Sequence, residues 1–278
     1  MTLPQSPLGR TGHSATRLGL GGEGVLRTFG YDRQAQAVIE AALAAGVNYF
    51  ETARAYSGSE AYLGRSLKGH RDQIFLTSKS HGRSFKEAMA HLCITLKNLD
   101  TDYLDLWQVH DIRTMDEVEA LGAPGGALEA FRHARDRGWV RFIGVTGHHD
   151  PEVLRRALTL YEFDTVLLPV NPAEPQQASF LPLAQEAMAK GIGVIAMKTL
   201  CRGQLPQMAE EPDQLVRELL AYALSQSVTL AVVGADSAKQ VEQLAAAVRD
   251  FVPMTPEEAH RLEEAVAPYA RQLMYYKP

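Results

Sequence analysis

The chain has 278 residues, a length that fits either two ordinary domains or one α/β barrel. Apolar residues make up 46% and charged residues 22%, near globular averages, which excludes a disordered, collagenous or coiled-coil chain. A formal charge of −5 without any basic stripe argues against nucleic acid or an anionic membrane as partner, and two cysteines, Cys93 and Cys201, cannot build a disulfide framework or a cysteine-rich metal centre.

The opening MTLPQSPLGR has no apolar signal core, and no window approaches the roughly 18 apolar residues of a membrane span, so a cytoplasmic protein is expected. Residues 1–17 read as a short hairpin turning at Gly9 to Gly12, suited to plugging the bottom of a barrel. Apolar, β-branched runs then predict eight strands: 17–20, 47–51, 74–79, 103–109, 140–145, 164–170, 192–197 and 229–233. Helix signals fall between them. Asp32 and Asp150 read as N-caps, while Ser237 with Gln240 and Thr255 with Glu258 read as capping boxes. Gly46, Gly138 and Gly191 fall where a helix ends before a strand, a position that favours a left-handed residue. Beyond Glu257 the pattern gives one extra helix and a tail ending YYKP.

Alternating strands and helices imply a parallel sheet with right-handed crossovers. Eight units without a Gly/Ser-rich linker favour one α/β domain over 1–278: a (β/α)8 TIM barrel, parallel and eight-stranded, with an N-terminal β-hairpin and an extra C-terminal helix. The doubly wound alternative lacks its fingerprint, because LGLGGEG at 18–24 does not fit G-x-G-x-x-G.

Catalytic groups of such a barrel stand at the C-terminal ends of strands. Alternation puts Glu51, Lys79 and His110 on inward faces of three successive strand ends, with Tyr56 returning from the loop after Glu51. Taken alone, Lys79 and Glu51 make a buried ion pair more readily than a catalytic dyad, His110 a satisfied strand-end histidine and Tyr56 ordinary loop packing. Their joint placement reverses that weighting. A phenol beside an ammonium has a lowered pKa, which suits Tyr56 to act as general acid toward an alkoxide while His110 donates a second hydrogen bond.

The runs GVNYFETARAYSGSE (46–60), LTSK (76–79), TDYLDLWQVHD (101–111), GWVRFIGVTGHHDPE (138–152) and GIGVIAMKTL (191–200) resemble the aldo-keto reductases, over a stretch reaching from residue 8 to about 250. The chain closely resembles the bacterial subgroup with GVTGH and a Met-Lys pair after strand 7; its larger members carry an iron–sulfur extension that two cysteines cannot supply. The resemblance implies reduction of a small-molecule carbonyl by NAD(P)H, with no metal and a tetrad of Asp, Tyr, Lys and His. Tyr56, Lys79 and His110 match three members, and Glu51 stands where the family has Asp. One more methylene extends the carboxylate by roughly 1.3 Å, so the pair with Lys79 requires the backbone or rotamer to give way.

For the cofactor, the resemblance implies Gly22 and Glu23 near the nicotinamide, Thr146 in place of a carboxamide-binding Ser, and Gly147 where Asn is common. Leu167 or Leu168 replaces a usual Gln, leaving Asn171 as the nearby polar group. Met197 takes the place of a stacking aromatic, with Lys198 as a phosphate ligand. Gly234, Ala235 and Ser237 open a helix whose free N–H groups attract phosphate, though Ser237 is equally a plain cap. Gln240 occupies the position of a usual Arg, leaving Ser237 and Lys239 for a 2′-phosphate and Asp236 opposing it; Gln243 is expected near adenine. The balance leans to NADP(H) over NAD(H). The second reading is an NAD(P)-binding sensor or regulatory barrel with little turnover, motivated by Glu51 and the altered carboxamide contacts.

Overall fold

The structure is a computed structural model that describes residues 2–176, 179–207 and 209–277. Strands β1 (Gln5–Pro7) and β2 (Ser14–Thr16) form the antiparallel hairpin expected from the first residues. The eight predicted strands follow as β3 (Leu18–Gly24), β4 (Tyr49–Glu51), β5 (Phe75–Ser80), β6 (Leu104–Val109), β7 (Val140–Thr146), β8 (Thr165–Pro169), β9 (Gly193–Met197) and β10 (Leu230–Ala235). Each pairs in parallel with its neighbours and β10 closes on β3, giving a (β/α)8 barrel.

Helices α1 (Asp32–Ala44), α2 (Ser59–Ser66) and α3 (Phe85–Leu99) carry the first three crossovers, and α4 (Met115–Leu121) with α5 (Ala127–Asp136) the fourth. The chain continues through α6 (Pro151–Leu160), α7 (Leu181–Ala189), and α8 (Gln204–Gln207) with α9 (Pro212–Ser225), then α10 (Ala238–Arg249) after β10. The extra C-terminal helix is α11 (Pro256–Val266), followed by the single turn α12 (Ala270–Leu273). No helix is long and apolar enough to cross a membrane among the described residues.

Two apolar layers hold this arrangement. Alternate strand residues Tyr49, Phe75, Leu106, Leu167, Ile195, Leu230 and Val232 fill the barrel, and Leu8 and Ala15 of the hairpin join them as the floor. The other faces pack against the helices in a larger outer cluster. These side chains fill the barrel below the rim, which leaves the C-terminal strand ends to form a site.

Most of the predicted punctuation is present. Gly46, Gly138 and Gly191 have φ of 83°, 74° and 72°, and Asp150 and the Thr255–Glu258 box cap their helices. Asp32 differs: Tyr31 is the cap residue of α1 and makes no side-chain cap bond, while Asp32 opens the helix and pairs with Arg65 of α2 at 2.6 Å. A partner on the next helix outcompetes its own backbone. Ser237 accepts from Gln240 N, but the Gln240 side chain reaches one residue further back, to Asp236 N.

Candidate active site

A Cβ on Gly19 would lie 2.8 Å from the Tyr49 ring, and one on Gly21 3.4 Å from a Glu51 carboxylate oxygen, so both glycines face the barrel interior. Glu23, two residues on, continues that face at the rim. Glu51, Lys79 and His110 rise on the adjoining strand ends, all buried. Lys79 Nζ contacts Glu51 Oε1 and donates to Thr52 O at 2.9 Å, so the longer carboxylate still reaches its cation. Nζ lies 5.0 Å from the Tyr56 ring centre, and the ring stands edge-on to His110 at 6.0 Å. His110 in turn leans on His81 at 4.0 Å.

Tyr56 is placed by the turn between β4 and α2. Tyr56 N bonds to Ala53 O, Arg54 N bonds to Lys79 O, and the Arg54 guanidinium contacts the buried carboxylate of Glu60. Glu60 also accepts from Ser78 Oγ at 3.1 Å, Thr95 Oγ1 at 2.6 Å and Asn98 Nδ2 at 3.0 Å. A buried charge with four partners is costly to move, so this loop is held fast. Gly22 seats it from the other side: a Cβ there would lie 2.3 Å from Ser59 Oγ.

The electrostatics depart from the sequence expectation at Tyr56. Burial and the negative charge of Glu23 push its pKa up, against the pull of Arg27 and Arg202. The ammonium of Lys79 lies over the ring face, where it meets the π-system. Burial drives Lys79 itself well below the ordinary lysine value, with Glu23 opposing, and the Glu51 contact favours the charged form. Burial and the charge of Lys79 hold His110 well below its usual value, which favours the neutral imidazole. Its Nδ1 has no partner among the described residues.

From Glu51, Tyr56 and Lys79 a cleft of about 570 Å³ runs past Met197 and Lys198 to Gln240 and Gln243. That volume fits a cofactor-sized ligand. Glu23 and Gly234 also line it, and Leu167, not Leu168, faces in. His110, Gly22, Thr146, Gly147, Asn171, Ala235, Ser237 and Lys239 lie outside its lining. Three of these are already engaged: Thr146 Oγ1 accepts from Asp111 N at 2.8 Å, Ser237 caps α10, and Asn171 donates to Tyr276 while accepting from Ala173 N. Gln243 donates to Asp213 at 2.9 Å. Lys198, Cys201 and Arg202 have φ of 56°, 47° and 57° at the end of β9, and such left-handed non-glycine residues gather at functional sites. The cation at Lys198, the polar side chains at Gln240 and Gln243 and the capped start of α10 fit a phosphate-bearing dinucleotide. No cluster of three or more His, Cys, Asp or Glu suited to a metal occurs among the described residues.

Sequence reasoning missed two parts of the site. One is Arg27, whose Nη1 lies 2.6 Å from both Glu23 oxygens; the i, i+4 spacing was legible, but the loop that folds the pair inward was not. The other is the far wall beyond Arg202, which includes Pro206, Gln207 and Val216. Residues so distant from any strand end carry no local signal of where they pack.

A sequence model of the Aldo/keto reductase family matches residues 17–218. Aldo-keto reductase YhdN of Bacillus subtilis is 31% identical over 72% of this chain and 63% of its own length. L-galactose dehydrogenase of Arabidopsis thaliana is 26% identical over 88% of each. Among solved structures, a putative aldo-keto reductase from Pseudomonas aeruginosa superposes with a TM-score of 0.72 at 28% identity, covering 89% of this chain and 97% of its own. An aldo-keto reductase from Klebsiella pneumoniae, solved in complex with NADPH, shares the fold at 21% identity with a TM-score of 0.76, covering 96% of each chain. The match of the family model over most of the chain, on a barrel whose rim gathers Tyr56, Lys79 and His110, shows that this chain belongs to the aldo/keto reductase family.

Proposed function

We propose that the protein is an NAD(P)H-dependent carbonyl reductase with Tyr56 as proton donor, and that residues 1–278 work as one domain. The observation that carries this reading is the buried Glu51–Lys79 pair set beneath the Tyr56 ring, at the inner end of a cleft long enough for a dinucleotide. Bound, the cofactor supplies the hydride. Tyr56 gives its hydroxyl proton to the carbonyl oxygen, and neutral His110 donates a hydrogen bond to the same oxygen. Lys79, fixed by Glu51 and by Thr52 O, presents positive charge to the phenolate that Tyr56 leaves behind.

Lys198 and the start of α10 serve the cofactor phosphates, with Met197 against the ring and Gln243 toward adenine. Lys239, next to Gln240 of the cleft wall at the start of α10, favours NADP(H) by its charge, and the Klebsiella pneumoniae neighbour's bound NADPH lends the same reading support. The substrate is a small aldehyde or ketone. Cofactor oxidation followed with a panel of aldehydes and quinones tests this directly: carbonyl-dependent turnover is expected, and tight cofactor binding without any turnover would establish a sensor instead. Comparing NADPH and NADH dissociation constants tests the preference, with tighter NADH binding overturning it.

A further inference from the structure

We propose that Glu23, clasped by Arg27 at the end of β3, is an additional carboxylate of the catalytic centre that balances the charge around Tyr56. The proposal rests on Tyr56 being the proton donor argued above.

An i, i+4 Glu–Arg pair with partly exposed side chains is ordinarily a solvated ion pair of little consequence. Three features set this one apart. Glu23 is the first residue on the inward face of β3 that has a side chain beyond Gly19 and Gly21, so the strand delivers it to the rim with nothing else in the way. Both its oxygens lie 2.6 Å from Arg27 Nη1, and the Arg27 guanidinium lies 5.2 Å from the Tyr56 ring centre, so Arg27 stands between the carboxylate and the aromatic ring. Glu23, Tyr56, Glu51 and Lys79 line one cleft.

The charges around the phenol come from every neighbouring strand end. Glu23 and Arg27 stand on the β3 side, Glu51 on β4, Lys79 on β5, His110 after β6, and Lys198 and Arg202 after β9. Four of these are cations, and Glu51 is already committed to Lys79. Glu23 is therefore the anion that offsets Arg27 and Arg202, the latter 3.8 Å from it. Without it, the surrounding cations would favour phenolate, and Tyr56 would lose its proton at a lower pH. Arg27 also holds Glu23 ionised: burial pushes its carboxyl up, but the Arg27 hydrogen bond and charge outweigh this and lower it.

Glu23→Gln preserves shape and removes the charge. In the cofactor-saturated enzyme the basic limb of the kcat/KM profile should fall by about one pH unit or more. Arg27→Gln should not move that limb downward, and Glu23→Asp should restore most of the wild-type profile. A second readout needs no turnover: ultraviolet difference titration of the cofactor-free protein, subtracting the Tyr56→Phe counterpart of each form, should show the Tyr56 phenolate at lower pH in Glu23→Gln than in wild type. If Tyr56→Phe abolishes reduction while Glu23→Gln leaves both limb and titration unmoved, this inference fails and the reductase reading stands. If Tyr56→Phe leaves reduction intact, the reading beneath it fails.

Discussion

Glu51 Oε1 contacts Lys79 Nζ beneath the Tyr56 ring, with both side chains almost wholly withdrawn from water. The ammonium therefore depends on one carboxylate and on Thr52 O for its place. Glu51→Gln breaks a buried pair and should cost ~3–5 kcal/mol of stability, measurable by denaturant unfolding, together with most of the turnover. Glu51→Asp keeps the charge in a shorter arm. It should preserve or raise turnover; a loss beyond about tenfold would show that Glu51 has a role of its own, worth more than about 1.4 kcal/mol in the transition state.

The seat of the catalytic loop can be tested at Gly22. A methyl group there would press on Ser59 Oγ and on the Glu51 and Thr52 backbone. Gly22→Ala should destabilise by ~1–3 kcal/mol and weaken turnover. Adding Ser59→Ala removes the nearest atom, at the expense of the Thr52 Oγ1 bond to Ser59, and should recover part of the loss. Strict additivity of the two changes would show that the contact is not what excludes a side chain.

Stability should fall in mild acid. Burial and the Lys198 ammonium push the His148 pKa from 6.5 down to about 3, and His110 is lowered as well. Below the unfolded value the unfolded chain gains protons that the folded one refuses, so stability is full above pH ~6.5 and declines on acidification, by up to about 1.4 kcal/mol per pH unit for each histidine. Denaturant midpoints at a series of pH values check this. His148→Gln should flatten the decline; an unchanged slope would remove His148 from the account.

The chain's last turn should matter to the barrel. Tyr276 donates to the buried Glu174 carboxylate at 2.5 Å and accepts from Asn171 at 3.1 Å, and Lys277 pairs with Glu174 at 2.8 Å. Tyr276→Phe leaves a buried acceptor and donor short of a partner and should lower stability by ~1–3 kcal/mol, read as a lower thermal midpoint. No change would mean that the tail is not held through this hydroxyl.

The barrel was legible because strand and helix periods alternate eight times, and Glu51, Lys79 and His110 because alternation fixes which residues face inward once a strand end is known. The family resemblance implies Asn171 near the cofactor, and no local pattern shows that Tyr276, 105 residues away, accepts from its amide. The environment of Tyr56 differs from the expectation for a related reason. Lys79 is visible on the next strand by register, whereas Arg27, which turns Glu23 toward the site, approaches the ring through a non-repetitive turn after β3 that no period encodes. Contacts made by regular elements follow from local pattern; those made by loops and tails depend on packing that only the folded chain reveals.

In the proposed reduction Tyr56 delivers the proton to the carbonyl oxygen. The most direct test of this is Tyr56→Phe, with cofactor affinity and single-turnover cofactor oxidation by an aldehyde measured on the same preparation. Affinity should stay within a few-fold of wild type while the oxidation rate drops by about 10²-fold or more. Equal oxidation rates for the variant and the wild type would rule out Tyr56 as the proton donor.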